Sequence, residues 1–367
     1  MKYVDEFRDG AIGARLAAAI TAEARPDRVY RIMEFCGGHT HALCRHGLPD
    51  LLPRNVEMIH GPGCPVCVLP IGRLEQAITL ARRERVILCT FGDMMRVPAK
   101  GRSSLIRARA EGADVRMVMG GADALRVAKE SPEREVVFFA IGFETTTPPT
   151  AAVVKRAAEQ RVSNFFALVN HVLTPPAIQA ILDAGDVRVD GVIGPGHVST
   201  IIGSAPYERF ARDHHLPIVV SGFEPLDLLQ SILMIVRQLN DGRAEVENEF
   251  SRGVSREGNL KAQALVAEVM TLRESFAWRG LGTMPESALR LRDELGAWDA
   301  EKRWSLPDED IADHPACACA DVIRGRKKPT DCAIFGGACT PETPLGSCMV
   351  SPEGSCAAYY LYRRGEA

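Results

Sequence analysis

Cys64 and Cys67 are separated by Pro65 and Val66 and follow the turn Gly61-Pro62-Gly63. This is the spacing of a thiol pair that closes and opens a disulfide. A zinc reading would need a second such pair nearby, and none follows at the usual ribbon spacing. Cys36 precedes Gly37 and Gly38, which let backbone amides approach a thiol closely, and His39 and His41 stand just beyond. A helix starting there would lower the Cys36 pKa, and a cysteine beside imidazoles suits a metal ligand or a nucleophile. Glu144, Asp93, His171, His197 and Glu224 add carboxylates and imidazoles of the kind that move protons or orient metal ligands. The glycine turns come with neither a Walker-type lysine nor a full GxGxxG pattern, so they carry no nucleotide fingerprint.

A second sulfur site is implied near the other end of the chain. Of eleven cysteines, five lie from Cys36 to Cys89, none from 90 to 316, and six from Cys317 to Cys356. Cys317, Cys319, Cys332, Cys339, Cys348 and Cys356 are irregularly spaced in a stretch rich in Gly and Pro with little periodicity. Such a segment needs a staple, and thiolates so spaced suit a cubane iron–sulfur cluster better than zinc knuckles. Six candidates for four positions leave the choice open. A zinc-stabilised interaction module is the lesser reading. Cys44 and Cys89 read as small core residues, Cys89 because it sits inside an apolar strand.

Composition narrows the function classes. Forty-four basic and 47 acidic residues are interspersed for a net charge of −3, which gives no electrostatic reason to expect nucleic acid as a partner. The first residues hold no apolar stretch resembling a signal peptide, and no apolar run approaches the ~20 residues that span a bilayer. A cytoplasmic location is expected, with no membrane partner, and there the thiols stay reduced instead of forming a disulfide framework.

The elements that must position these residues are legible as runs of Val, Ile and Phe at 28–35, 56–60, 85–91, 114–119, 135–142, 164–170, 191–194 and 216–221. Helix-like stretches separate most of them, including 71–83, 103–111, 122–129, 150–160 and 175–184. Continuous apolar strands alternating with helices predict an α/β fold with parallel sheets covered on both faces. The expected division is a first α/β half over 1–120, a second over 121–224, broken at Gly120-Gly121, and a helical and cysteine-rich region over 225–367. The reactive residues follow the strands and fall at their carboxyl ends, the edge where open parallel sheets build their sites. One cleft between the halves is therefore expected to hold the chemistry.

Taken in order, "CGGHTH", "GPGCPVC", "TFGDMMRVP", "GFETTTP", "GPGHVS", "GFEP" and "CMVSPEGSCAAYY" closely resemble the hydrogenase maturation protein HypD family over most of the chain. The resemblance implies a factor that assembles the active-site iron of [NiFe] hydrogenases. It implies a [4Fe-4S] cluster on Cys319, Cys332, Cys339 and Cys356, whose intervals of twelve, six and sixteen residues fit the family pattern, with Cys317 and Cys348 as non-ligands. It further implies that Cys36 ligates a transient Fe(CN)2CO unit, with His39 nearby. In that picture Cys64 and Cys67 form a thiol pair in electron relay to the cluster; Glu144 counts among the expected catalytic groups from its residue type and its place after a strand. The partners implied are a small HypC-type chaperone and a HypE-type cyanide donor. An iron–sulfur thiol:disulfide reductase acting on a protein disulfide is the competing reading.

Overall fold

The computed structural model describes residues 5–306 and 309–363. Among them, two parallel sheets are built from β1 (Tyr30–Glu34), β2 (Val56–His60), β3 (Val86–Thr90), β4 (Val115–Met117), β5 (Glu135–Gly142), β6 (Phe165–His171), β7 (Gly191–Pro195), β8 (Ile218–Ser221) and β9 (Val246–Asn248). One sheet has the order β2-β1-β7-β8-β9 and the other β4-β3-β5-β6. Both are parallel throughout, as in Tyr30 opposite Val56 and Val136 opposite Phe165.

Alternate side chains of each strand enter different cores, which is why the strands read as unbroken apolar runs. In β5, Val137, Phe139 and Ile141 join the core that also takes in Cys64, Cys67 and the late cysteines, while Val136, Phe138 and Ala140 face the opposite one. In β1, Tyr30 and Ile32 enter one core and Met33 the other. Cys89 is fully buried in this pattern, and burial pushes its thiol up to about 12, as befits a core residue. Cys44 packs with Ala358 and Tyr359.

The expected division into 1–120, 121–224 and 225–367 does not follow the sheets. The chain makes β1 and β2 of the first sheet, then all of the second sheet, then returns to complete the first with β7, β8 and β9. A cut at residue 120 would part β4 from β5, two strands of one sheet. Gly120-Gly121 misleads because it opens the helix Gly121–Glu130; a Cβ on Gly121 would lie 3.0 Å from the Phe138 ring, so the glycine marks close packing of helix on sheet. Nor is 225–367 set apart. The helix Pro225–Asp241 packs in the first sheet's core, whereas Met270 and Leu291 of a short antiparallel pair pack in the second's. No helix among the described residues is long and apolar enough to cross a membrane.

Candidate functional site

Cys36 follows β1 and caps the helix Gly37–Arg45, with extended backbone. Its N–H donates to Glu34 Oε2 at 2.8 Å. The Glu34 carboxylate, wholly buried, also accepts the Thr40 hydroxyl and pairs with His60 Nδ1 at 2.8 Å, so it ties β1, β2 and the new helix together under the thiol. Glu34 was not singled out from the sequence. The one available signal was a carboxylate ending a strand buried on both faces.

The loop after β2 crosses directly over Cys36. Gly37 N–H donates to Gly63 C=O at 3.0 Å, and a Cβ on Gly63 would lie 2.5 Å from the Cys36 nitrogen. Immediately beyond, Cys64 and Cys67 are joined as a disulfide across a Cα separation of 5.2 Å, both buried at 3% exposure. The Cys67 N–H donates to Cys64 Sγ at 3.2 Å within the short helix Pro65–Val68.

From the far side, the loops after β7 and β8 complete the surroundings of Cys36. Its Sγ lies 3.9 Å from His197 Nδ1, and the His197 ring stacks on Phe223 at 3.7 Å. His39 Nε2 donates to the Ser221 carbonyl at 3.2 Å, leaving Nδ1 buried with no partner among the described residues. Burial pushes His39 down to about 4 and also lowers His197, so both imidazoles are neutral at physiological pH.

The Cys36 thiol is pushed up to about 12, by burial first and then by the charges of Glu353 and Glu34. This corrects the expectation of a lowered thiol: the amides of Gly38 and His39 do favour the thiolate, but desolvation outweighs them. Cys36 is therefore a protonated thiol, 3.9 Å from the neutral His197 Nδ1. Glu353 itself is raised by burial and by Asp93, which draws the loop after β3 into the same cleft.

Other residues singled out from the sequence have different neighbours. Glu144 accepts the Thr174 N–H at 2.8 Å and the Thr174 hydroxyl at 3.0 Å, holding the start of the helix Thr174–Ala184, and burial raises it to about 7. Glu224 caps the helix Pro225–Asp241 and pairs with Arg8. His171 is wholly buried, and neither ring nitrogen has a partner among the described residues. His41 contacts the Pro352 carbonyl at 3.3 Å and meets Tyr362 edge-on, so it docks the helix Ser355–Tyr362.

That helix carries Cys356, and with it Cys317, Cys319, Cys332, Cys339 and Cys348 line one small pocket walled by Phe335 and Met349. Cys319 Sγ lies 2.8 Å from Cys348 Sγ, and hydrogen bonds from Cys317 and Cys348 hold the Cys319 thiol well below its ordinary value. The Leu345 N–H donates to Cys339 Sγ at 3.3 Å. A Cβ on Gly346 would lie 2.5 Å from Cys317 Sγ, so the glycine keeps space open among the sulfurs. No three His, Cys, Asp or Glu side chains among the described residues converge tightly enough for a single ion. A ring of soft donors around a shared space, with an amide aimed at one sulfur, fits a polynuclear iron–sulfur group.

The two sulfur sites touch. The Ser347 hydroxyl donates to the Cys67 carbonyl at 3.0 Å and lies 3.6 Å from Cys319 Sγ, and the Arg279 N–H donates to the Val68 carbonyl at 2.8 Å. Arg96, after β3, donates to the carbonyls of Pro341 and Val350 at 2.9 and 3.0 Å.

A family model described as "HypD: Hydrogenase formation hypA family" matches residues 11–363. The chain is 61% identical to a hydrogenase maturation factor HypD of Azotobacter vinelandii, with 99% of this chain and 97% of that protein covered. It is 59% identical to a hydrogenase maturation factor HypD of Cupriavidus necator, covering 99% of this chain and 98% of the relative. Identity to the Escherichia coli HypD is 45%, with both chains covered in full.

Proposed function

The chain belongs to the HypD family of hydrogenase formation proteins, and on that premise we propose that it serves hydrogenase maturation as an assembly scaffold for an Fe(CN)2CO unit. The observation that carries the reading is the place of Cys36, a buried thiol enclosed by the loops after β1, β2 and β7. Cys36 would bind the iron from this side of the cleft, and a HypC-type chaperone would bind it from the other, with cyanide from a HypE-type donor. His197 Nδ1 would take up the Cys36 proton on binding iron, and the Glu34 carboxylate fixes the loop through the Cys36 N–H. Phe223 stacks on His197 and so fixes the imidazole beside Cys36.

Cys319, Cys332, Cys339 and Cys356 would hold a [4Fe-4S] cluster, with Cys317 and Cys348 beside it. When bound, the cluster supplies single electrons. Cys64 and Cys67 would take up two electrons and two protons as their disulfide opens, from an external one-electron donor by way of the cysteine pocket. Their burial at 3% exposure speaks against the alternative of a reductase acting on a protein disulfide, which must reach its partner's sulfur directly.

The test is Cys36→Ser, expressed with the chaperone. A hydroxyl removes the soft donor that low-spin iron needs and takes no cysteine from the late pocket. The expected result is an unchanged visible cluster spectrum with loss of the cyanide and CO stretching bands from the infrared spectrum of the complex. Bands at wild-type intensity would move the iron to Cys64 or Cys67.

A further inference from the structure

Ser347 is wholly buried at the start of the short helical turn Ser347–Met349, 280 residues from Cys67 in the chain. Its hydroxyl carries one proton, which goes to the Cys67 carbonyl. The same oxygen lies 3.6 Å from Cys319 Sγ. The Cys67 N–H is in turn bonded to Cys64 Sγ. Cys67 is thus held on both sides, its N–H on Cys64 Sγ and its carbonyl on the Ser347 hydroxyl, whose oxygen lies 3.6 Å from Cys319 Sγ.

We propose that Ser347 is the positioning residue that couples the Cys64–Cys67 pair to Cys319. It does so by holding the Cys67 carbonyl against the cysteine pocket. The inference rests on the relay reading above and names the contact through which that relay runs. The balance is that of disulfide reduction: two electrons, delivered singly from an external one-electron reductant, and two protons convert one S–S bond into two thiols.

The experiment compares wild type, Ser347→Ala and Ser347→Thr as the full iron-loaded chain under anaerobic conditions. Dithionite is added, samples are quenched with an alkylating agent over time, and labelling of Cys64 and Cys67 is counted by mass spectrometry. Visible absorption is followed in parallel. Ser347→Ala is expected to keep the visible spectrum and to label Cys64 and Cys67 at least about tenfold more slowly, and Ser347→Thr to restore the rate. Attack by dithiothreitol, which bypasses the pocket, is expected to be no slower in Ser347→Ala; a merely structural role for Ser347 would not separate the two routes.

In the iron-free protein, Ser347→Ala loses a hydrogen bond that holds the closed turn, and its reduction midpoint in a dithiothreitol series is expected at about fivefold lower reductant ratio. If wild-type Cys64 and Cys67 stay unlabelled after dithionite, the relay reading falls and this inference with it. If wild type is labelled and Ser347→Ala keeps pace, only the role of Ser347 falls. Should Ser347→Ala fail to load iron, an unshifted midpoint in the iron-free protein overturns the proposal.

Discussion

Gly63 lies against the backbone of Cys36 so closely that a Cβ at 63 would sit 2.5 Å from the Cys36 nitrogen and 2.6 Å from its Cα. Both obstructing atoms are main chain and cannot rotate away. The contact joins the loop that holds the thiol to the loop that leads into the disulfide.

Gly63→Ala must therefore push the two loops apart. The expected loss is about 2–4 kcal/mol of stability, in the range of other overpacked buried sites. Urea unfolding checks it, and the Cys64–Cys67 bond should become more accessible to dithiothreitol in the same variant. A stability change within about 0.5 kcal/mol would mean that the loops are held apart in solution.

The cysteine pocket makes a residue-by-residue prediction. Alanine at Cys319, Cys332, Cys339 or Cys356 should bleach the broad visible absorption of the loaded protein, because on the proposed ligand set each would remove one of four thiolates. Cys348→Ala should leave most of it, although Cys348 Sγ lies 2.8 Å from Cys319 Sγ. Bleaching by Cys348→Ala with retention in Cys319→Ala would exchange the two assignments.

Burial holds His171 down at about 4 against an ordinary value of 6.5. Above pH 6.5 the ring is neutral in both folded and unfolded chains. Between pH 6.5 and 4 the unfolded chain binds a proton that the folded chain refuses, so acid destabilises the fold through that window. His171→Leu removes this contribution. Its stability relative to wild type should rise by about 2–3 kcal/mol between pH 7 and pH 4.5. Urea titrations at the two pH values measure the difference, and a pH-independent difference would place His171 in contact with water.

The strand pattern was legible because both sheets are parallel and buried on two faces. Each expected apolar run up to residue 221 overlaps an observed strand, as 135–142 does with Glu135–Gly142. Val246–Asn248 escaped notice because it is a three-residue edge strand, half-buried, with a Glu and an Asn. The nesting of one sheet's strands around the other's was not legible, since periodicity gives an element's type and says nothing about which strand returns to which sheet. In the site, cysteines and glycines announce themselves by type, so Cys36, Cys64 and Cys67 were found. Glu34 and Ser347 have ordinary residue types, and only tertiary packing brings them under Cys36 and between Cys67 and Cys319. The sign of the Cys36 shift also escaped, because a local helix N-terminus is visible in sequence and the burial that outweighs it is not.

The nested sheets also set an order in time. As the chain leaves the ribosome, β1 and β2 emerge first, and β1 gains its second neighbour only after Gly191 and the rest of β7 have been made. The second sheet, continuous from Val86 to His171, has all its strands before then. Cys36, Cys64 and Cys67 thus wait through the synthesis of a whole sheet before His197 and Phe223 exist to enclose them, and Cys67 waits longer still for Ser347. A nascent chain halted before Gly191 has neither His197 nor Phe223 to set beside Cys36, so the protection of this sulfur chemistry is completed late, by closure of the fold around residues made early.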